Sequence, residues 1–306
     1  MSGLLILEQV LNGLQFGVTL FLMAAGLTLV FGIMGLINLA HGSLYMLGTY
    51  FCAVFSGLTG SFLAGLALAL PATAAVGIVI EIVVLRRLYA RDHLDQVLAT
   101  FGLILFFNEI TKMIWGAQPL YLDVPEALAT TVEILPGVPY PAYRLAIIVV
   151  GLLVAALLYL LVAHTRIGML IRAGASNREM VAALGVDIRL LYTLLFGLGA
   201  MLAGLAGTMV GPLLSVEVGM GDGILITTFV VIVIGGIGSI KGAFVGALLV
   251  GLVDTLGRAF LPALFKLAFD PATATGVGSG LSSMSIYILM AAVLAFRPRG
   301  LFPAHG

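Results

Sequence analysis

One stretch of the sequence decides how many times the chain crosses a membrane: GILITTFVVIVIGGIGSIKGAFVGALLVGLVDTLGRAF, from Gly223 to Phe260. It is almost entirely apolar, and it is much longer than the about 20 residues that one membrane helix requires. The glycine-dense segment IGGIGSIKG in its middle is a favourable place for the chain to turn. We therefore predict two helices here, over 223–239 and 242–260.

The composition of the whole chain predicts a membrane protein. Hydrophobic residues make up 61% of the sequence and charged residues only 9%, whereas an ordinary soluble domain has roughly 25% charged residues. Its 306 residues leave room for roughly eight to ten membrane helices and for no separate soluble domain. We expect an all-α polytopic membrane protein, a single transmembrane domain over 1–306 with about 8–9 spans, some of them broken or re-entrant. The 14 basic and 14 acidic residues balance, so charge gives no reason to expect a nucleic-acid partner.

Seven further apolar segments complete the prediction. They lie near 10–36, 38–57, 62–85, 94–115, 143–163, 191–213 and 281–296. Helices are required because unpaired backbone groups are too costly in lipid, and the alternation typical of a β-barrel is absent from the sequence. Together with 223–239 and 242–260, these segments give nine predicted spans.

Basic residues predict the orientation, because cytoplasmic loops are enriched in Lys and Arg. Such residues follow the third, fifth and last segments: Arg86, Arg87, Arg91, Arg166, Arg172, Arg178, Arg189, Arg297 and Arg299. The stretch 117–143 holds acidic residues and no Lys or Arg, as expected of an outer loop. Nine spans then place the N-terminus outside and the C-terminus in the cytoplasm. Arg144, Arg258 and Lys266 fall outside in this scheme, against the rule.

The 39 glycines indicate how the helices meet. Small residues allow the close backbone contact that drives helix association in lipid, and the motifs GLGAMLAGLAG (Gly197–Gly207) and AFVGALLVGLVDTLG (Ala243–Gly257) have suitable spacing. Glycines at this density also permit broken helices around a conduit. Static packing explains most of them individually.

A few polar residues inside apolar segments are candidates for a substrate path. Asn38 and His41 lie at the junction of the first two spans; Asn38 either caps the second helix by accepting from the backbone N–H of residue 40 or 41, or lines the path with His41. Asn108 and Glu109 occur in the outer third of the fourth span, where an ionisable residue is a functional candidate. The neutral interpretation is that Lys112 pairs with Glu109 at i, i+3.

Polar residues nearer the ends of the later spans have structural interpretations. Asp254 and Arg258 are predicted to form an anchoring i, i+4 pair. Asp222 is predicted to cap the helix over 223–239.

The loop at about 164–190 predicts a docking surface. It carries four arginines and a short helix, SNREMVAALG, that begins with the capping residues Ser176 and Asn177 and stops at Gly185. The alternative is an amphipathic helix that lies on the membrane surface.

If the chain moves a solute uphill, the energy must come from a partner. The phosphate-binding motif G-x-x-x-x-G-K-[ST] is missing, because Gly242 follows Lys241. A secondary transporter would need an intramembrane carboxylate, for which Glu109 is the plausible residue. A channel would not explain the docking loop. Hydrolase and zinc-protease motifs are absent, so we predict no catalytic residue and no metal site.

Three motifs resemble a known family. GLTLVFGIMGLINLAHGSLYMLGTY (Gly26–Tyr50), RAGASNREMVAALGVDIRLLY (Arg172–Tyr192) and VIVIGGIGSIKGAFVGALLVG (Val231–Gly251) are similar, in order and spacing, to the permease subunits of ABC importers for branched-chain amino acids, specifically the LivH-like subunit. The resemblance implies a multi-pass permease of the bacterial inner membrane that works by alternating access. It also implies four partners besides the lipid bilayer: a second, LivM-like permease, two cytoplasmic ATPase subunits that hold Mg-ATP, and a periplasmic amino-acid-binding protein. No cofactor is expected on this chain.

The resemblance also gives the docking loop a mechanism, in which its short helix enters a groove of the ATPase. It implies contacts through Arg178, Glu179, Ala182, Ala183 and Gly185, although the acidic residue in EMVAALG is separated from the alanine pair, unlike the general importer pattern. It favours a role beyond capping for Asn38 and His41. Permeases for urea or short amides look much the same, so the cargo remains open between them and amino acids, with an ion-coupled secondary transporter as a further alternative.

Overall fold

The chain folds almost entirely into helices. A computed structural model describes residues 3–303, apart from the side chain of Arg178, and 77% of the structure is helical. The all-α prediction is therefore confirmed. The α-helices of the described part are α1 (Gly3–Met34), α2 (His41–Thr59), α3 (Phe62–Val83), α4 (His93–Trp115), α5 (Ala142–His164), α6 (Arg166–Ser176), α7 (Arg178–Ala183), α8 (Ile188–Val210), α9 (Met220–Gly235), α10 (Ile240–Phe265) and α11 (Pro271–Phe296).

Each of the nine predicted spans forms a helix. Within residues 3–303, seven helices are long and apolar enough to cross a membrane: α1, α3, α4, α5, α8, α10 and α11. Helix α9 has 16 residues and is too short by that measure. Helix α2 has 19 residues and includes several polar side chains. Of the nine helices that correspond to predicted spans, these two are outside the seven: α9 is too short, and α2 is long enough but too polar.

The division of the long apolar run into two helices is confirmed. Helix α9 ends at Gly235, and the turn that follows contains Gly236 and Gly238 with φ of +105° and +81°. Such left-handed backbone angles favour glycine. The side chain of Ser239 then caps α10 by accepting from the N–H of Gly242 at 3.1 Å.

A short β-hairpin, which the sequence analysis did not predict, joins α4 to α5. Strand β1 (Thr131–Leu135) pairs antiparallel with β2 (Val138–Pro141), and the turn contains Gly137 at φ +83°. Strands of five and four residues are too short to give a clear alternating pattern. The hairpin lies in the segment that we assigned to an outer loop.

The chain divides into two compact units, and α1, α5 and α9 contribute residues to both. This division into units does not test the prediction of a single transmembrane domain. The first unit consists of residues 3–21, 126–152 and 228–303, and the second of residues 22–125 and 153–227.

In the first unit, glycines allow α1 and α10 to pack closely. A Cβ added at Gly251 would lie 2.5 Å from backbone atoms of Gly17. Helices α10 and α11 also pack together, and Ser282 of α11 donates to the carbonyl oxygen of Gly257 at 2.8 Å. The predicted contact role of the motif Ala243–Gly257 is confirmed.

In the second unit, α2, α3 and α8 form the packed centre. A Cβ added at Gly48 of α2 would collide with the backbone of Gly204 of α8, and one at Gly207 would collide with the carbonyl oxygen of Tyr45. The motif Gly197–Gly207 therefore has the close-contact role that its spacing predicted.

Candidate functional site

The junction between α1 and α2 holds the first two candidate residues. Asn38 and His41 are both fully buried. The Oδ1 atom of Asn38 accepts from the N–H of Ala40 at 3.1 Å, just before α2 begins. The hydrogen bond that we expected from residue 40 or 41 is therefore present.

His41 ties α2 to α1. Its Nε2 atom lies 3.2 Å from the carbonyl oxygen of Met23, so Nε2 carries the proton and donates. Gly26 makes room for the ring, because a Cβ there would lie 3.1 Å from the Cε1 and Nε2 atoms of His41. The Nε2 atom of His41 therefore makes a structural hydrogen bond between α2 and α1.

Other polar atoms at this junction have no protein partner. Within residues 3–303, Nδ2 of Asn38, Nδ1 of His41 and the hydroxyls of Thr28 and Ser43 are buried without a hydrogen bond. A buried polar group left unpaired costs about 1–3 kcal/mol. The described residues therefore leave four polar atoms of this region without a hydrogen bond.

Asn108 and Glu109 lie on α4. Nζ of Lys112 is 2.8 Å from the Glu109 carboxylate, and the Glu109 side chain is 68% exposed. The predicted i, i+3 pair is confirmed. Nδ2 of Asn108 lies 3.5 Å from a carboxylate oxygen of Asp222, which sits within the first turn of α9 and not at its cap.

The structure does not join the two pairs of path candidates by a direct contact. No hydrogen bond or ion pair of the described residues links Asn108 or Glu109 to Asn38 or His41. The two pairs belong to different elements, and each has its own polar partners.

The docking loop folds as two short helices, α6 and α7. Asn177 caps α7 by accepting from the N–H of Met180 at 2.9 Å, whereas Ser176 ends α6 and does not cap α7. Gly185 follows α7 at φ +85° and donates to the carbonyl oxygen of Ala182 at 3.0 Å. The predicted short helix and its stop at Gly185 are confirmed.

The predicted docking residues form an exposed surface. Glu179, Ala182, Ala183 and Gly185 are exposed, and the side chain of Arg178 lies outside the described residues. Sequence reasoning missed two apolar side chains beside them, Met180 and Leu184, which are 60% and 77% exposed. Among the side chains of this helix that the structure describes, Val181 is the one that is buried, and Glu179, Met180, Ala182 and Ala183 are exposed.

A second cluster, which sequence reasoning missed, lies near the start of α8. The carboxylate of Glu81 in α3 is fully buried and accepts from Nε and Nη2 of Arg86 at 3.1 and 2.9 Å. The Tyr89 hydroxyl donates to it at 2.6 Å, and the Thr193 hydroxyl of α8 lies 2.7 Å away. We name Glu81, Arg86, Tyr89 and Thr193 the Glu81 cluster.

The Glu81 cluster connects the end of α3 to α8. Arg86 donates to the Thr193 hydroxyl at 2.8 Å, so the cation, the carboxylate and the hydroxyl form a closed set of hydrogen bonds. Burial and the Glu81 carboxylate raise the pKa of the Tyr89 hydroxyl, which therefore stays protonated and donates. The available sequence signal was Glu81, a glutamate inside a predicted span, five residues before Arg86. Arg86 had been used only to predict the orientation of the chain.

Comparison with known proteins identifies the family of this chain. A family described as "Branched-chain amino acid transport system / permease component" matches residues 9–294. The chain belongs to this permease family. It is therefore a multi-pass membrane protein and a transport subunit of a transporter complex.

Relatives of this permease cover nearly its whole length. The high-affinity branched-chain amino acid transport system permease protein BraD of Pseudomonas aeruginosa is 30% identical over 96% of this chain and 95% of its own. LivH of Escherichia coli (strain K12) is 29% identical over 85% of this chain and 88% of its own. A probable LivH of Methanocaldococcus jannaschii is 27% identical over 82% and 80%. No solved structure matches the permease.

The resemblance stated from the sequence is thus confirmed at the level of the family. The family match does not favour an ion-coupled secondary transporter.

Proposed function

We propose that this permease imports branched-chain amino acids across the bacterial inner membrane by alternating access. A second, LivM-like permease completes the pathway, two cytoplasmic ATPases bind and hydrolyse Mg-ATP, and a periplasmic binding protein delivers the cargo. The permease itself needs no bound cofactor. The observation that carries the proposal is the full-length similarity to permeases named for branched-chain amino acid transport.

The exposed α7 supports ATPase docking. A six-residue helix capped at both ends, with Glu179, Met180, Ala182, Ala183 and Leu184 outward, offers charge and apolar surface to a partner groove. A single-sided anchor through Val181 leaves most of this helix free for a partner. Arg178 and Gly185 complete the proposed contact set, and this face and the C-terminus lie in the cytoplasm.

A route from docking to the bundle runs through the N-terminus of α8. Asp187 caps α8 by accepting from the N–H groups of Arg189 and Leu190 at 2.9 and 3.1 Å. Farther along α8, Thr193 belongs to the Glu81 cluster, and its hydroxyl lies 2.7 Å from the Glu81 carboxylate. Few flexible residues separate α7 from this cluster. A displacement of α7 would therefore move α8, and α3 would move with it through the Glu81 cluster.

The α1–α2 junction supports a path for a zwitterion. Asn38 and His41 each keep a buried nitrogen without a protein partner in the described chain, and Asn108 and Glu109 are candidates for the outer part of the path. Weak polar contacts suit cargo that is handed over by a binding protein, because a strong ionic site would trap it.

Reconstituted importer in proteoliposomes tests the proposal. We expect leucine, isoleucine and valine to be taken up with ATP hydrolysis, and urea or acetamide not to compete. Glu179→Arg should lower the uptake per ATP hydrolysed about tenfold or more, since reversing a charge at a close contact costs more than the roughly 1.4 kcal/mol of a tenfold effect.

The matched control is Glu133→Arg, which reverses an exposed charge in the β-hairpin and should leave coupling unchanged. Uptake of urea in place of leucine would contradict the proposal that the cargo is a branched-chain amino acid. Equal coupling in the Glu179 and Glu133 variants would overturn the docking surface while leaving the cargo intact.

A further inference from the structure

A polar cleft of about 500 Å³ opens within the first unit, and its lining includes no residue of the α1–α2 junction or of the docking loop. It lies among the first half of α1, the start of α5 and the end of α10. Its lining is unusually polar for an apolar bundle: Gln9, Asn12, Gln15, Phe16, Arg144, Asp254, Thr255, Arg258 and Ala259.

Two guanidinium groups dominate the charge of this cleft. Nη1 of Arg144 donates to Oδ1 of Asn12 at 2.6 Å, and the Tyr140 hydroxyl donates to the same oxygen at 3.0 Å. Nε of Arg258 donates to Asp254 at 2.9 Å, and the Arg258 side chain is 60% exposed. With Asp254 as the sole carboxylate among the lining residues, the lining carries one net positive charge.

Both arginines keep donors available. A guanidinium has five N–H donors, and the bonds to Asn12 and Asp254 use only part of each set. Forked donors of this kind match the oxygens of a phosphate. The cleft therefore offers an oxyanion two cationic forks and the amide nitrogen of Gln9, whereas Nδ2 of Asn12 donates to Oε1 of Gln9 at 3.4 Å.

Both arginines lie toward the ends of their helices, and Arg258 reaches the boundary of the hydrocarbon layer when the surplus length of α10 lies on its side. Arg258 lies seven residues before the end of α10, about 10 Å along a helix whose 26 residues measure about 39 Å against about 30 Å of hydrocarbon. Arg144 lies in the first turn of α5. Farther along α5, Val149 and Leu152 are exposed apolar side chains on which an acyl chain can lie.

The same two arginines are exceptions to the charge rule that orients the chain. In the proposed orientation, Arg144 and Arg258 lie on the outer side, where Lys and Arg are depleted. Both line one cleft, whereas the third exception, Lys266, does not. An anionic ligand in the cleft would explain why Arg144 and Arg258 lie on the outer side.

We propose that this cleft binds the phosphate headgroup of an anionic phospholipid, such as phosphatidylglycerol, with its acyl chains along α5. The predicted pair of Asp254 and Arg258 is present, and its role here is to orient the Arg258 fork toward the headgroup. The proposal concerns a lipid and not the cargo, so it does not depend on which solute the permease carries.

Lipid retention by the purified importer tests the proposal. The whole complex is placed in nanodiscs with equal phosphatidylglycerol and phosphatidylethanolamine, and bound lipid is counted by native mass spectrometry. We expect phosphatidylglycerol to be retained preferentially. Arg144→Gln and Arg258→Gln should each weaken its binding about tenfold, as expected for one charge-assisted contact.

Three further variants keep the test decisive. Lys266→Gln removes a basic residue beyond the end of α10 and should retain lipid as the unaltered chain does. Arg144→Lys keeps the charge without the fork, so retention should be intermediate. Because Arg258→Gln leaves a buried Asp254 without its partner, the double change Asp254→Asn with Arg258→Gln repeats the measurement without an unpaired charge.

Several outcomes would overturn the proposal. Equal retention of the two lipids by the unaltered complex would show that the cleft does not select an anion. Equal losses in the Lys266 and Arg144 variants would reduce the effect to general surface charge. Displacement of the lipid by inorganic phosphate at millimolar concentration would assign the cleft to a soluble anion instead.

Discussion

Two regions of the second unit look alike in sequence and differ in the structure. The region around α3 and α8 contains Glu81 in an apolar helix, and α4 contains Glu109 in another. In an apolar window of 18 residues, 33% of the residues are buried in α3, which holds Glu81, and 78% in its packing partner α8, but only 11% in α4. Glu81 is fully buried with three side-chain partners, whereas Glu109 is 68% exposed with one.

The difference teaches that hydropathy alone cannot place a polar residue in this protein. Lipid and protein interiors are both apolar, so an apolar helix face is compatible with either. Burial decides what the glutamate does: Glu81 is part of the packing between helices, and Glu109 is part of a surface. The predictions below test that contrast, beginning with the largest expected effect.

Glu81→Gln should destabilise the permease by about 3 kcal/mol. The amide cannot balance the charge of Arg86, and breaking a buried ion pair from one side costs about 3–5 kcal/mol; the lower value applies because the Arg86 side chain is 32% exposed. The measurement is the free energy of unfolding in SDS–detergent mixtures, followed by the signal of the single tryptophan, Trp115.

Glu109→Gln is the matched control for this change. It makes the same substitution at an exposed pair, where the expected loss is about 0–1 kcal/mol. If both variants lost the same stability, burial would not distinguish the two glutamates and the contrast between the regions would fail.

Gly48→Ala should destabilise the permease by about 2 kcal/mol. The added Cβ would collide with the backbone of Gly204 in α8, and overpacking of this kind costs about 1–3 kcal/mol. Backbone cannot rotate aside as a flexible side chain can, so α2 and α8 would have to separate. The unfolding measurement used for Glu81 applies here.

The control for Gly48 lies in α4. A Cβ at Gly102 would meet no atom within 4 Å, so Gly102→Ala should be neutral or slightly stabilising, as Ala is the better helix former by about 1 kcal/mol. A loss at Gly102 that equals the loss at Gly48 would contradict the assignment of close packing to α2 and α8.

Much of the fold was predictable because its signals are local. Glycine-dense segments marked the turn between α9 and α10, and Asn177 and Gly185 marked the ends of α7, since capping depends on residues within one turn. The hairpin β1–β2 was missed because its strands are too short for periodicity to identify. The same locality predicted the pairs of Glu109 with Lys112 and of Asp254 with Arg258.

The candidate site was predictable only where its residues are neighbours in the chain. Asn38 and Ala40 are two residues apart, and their hydrogen bond was expected. The contact of His41 with Met23 was not expected, because the pattern of either segment alone does not show which helices pack together. Thr193 is more than one hundred residues from Glu81, so the cluster that joins α3 to α8 was outside the reach of local patterns.

The smallest expected effect concerns Glu109 and Lys112 as a pair. A double-mutant cycle with Glu109→Gln and Lys112→Gln should give a coupling energy of about 0.3 kcal/mol, typical of an exposed helical ion pair. It should fall further at high salt, because exposed charges are screened. A coupling above about 2 kcal/mol would place the pair in a water-free environment. Glu109 would then have the burial that an ion-coupling carboxylate requires, and α4 would no longer differ from the centre around Glu81 in the way that the structure indicates.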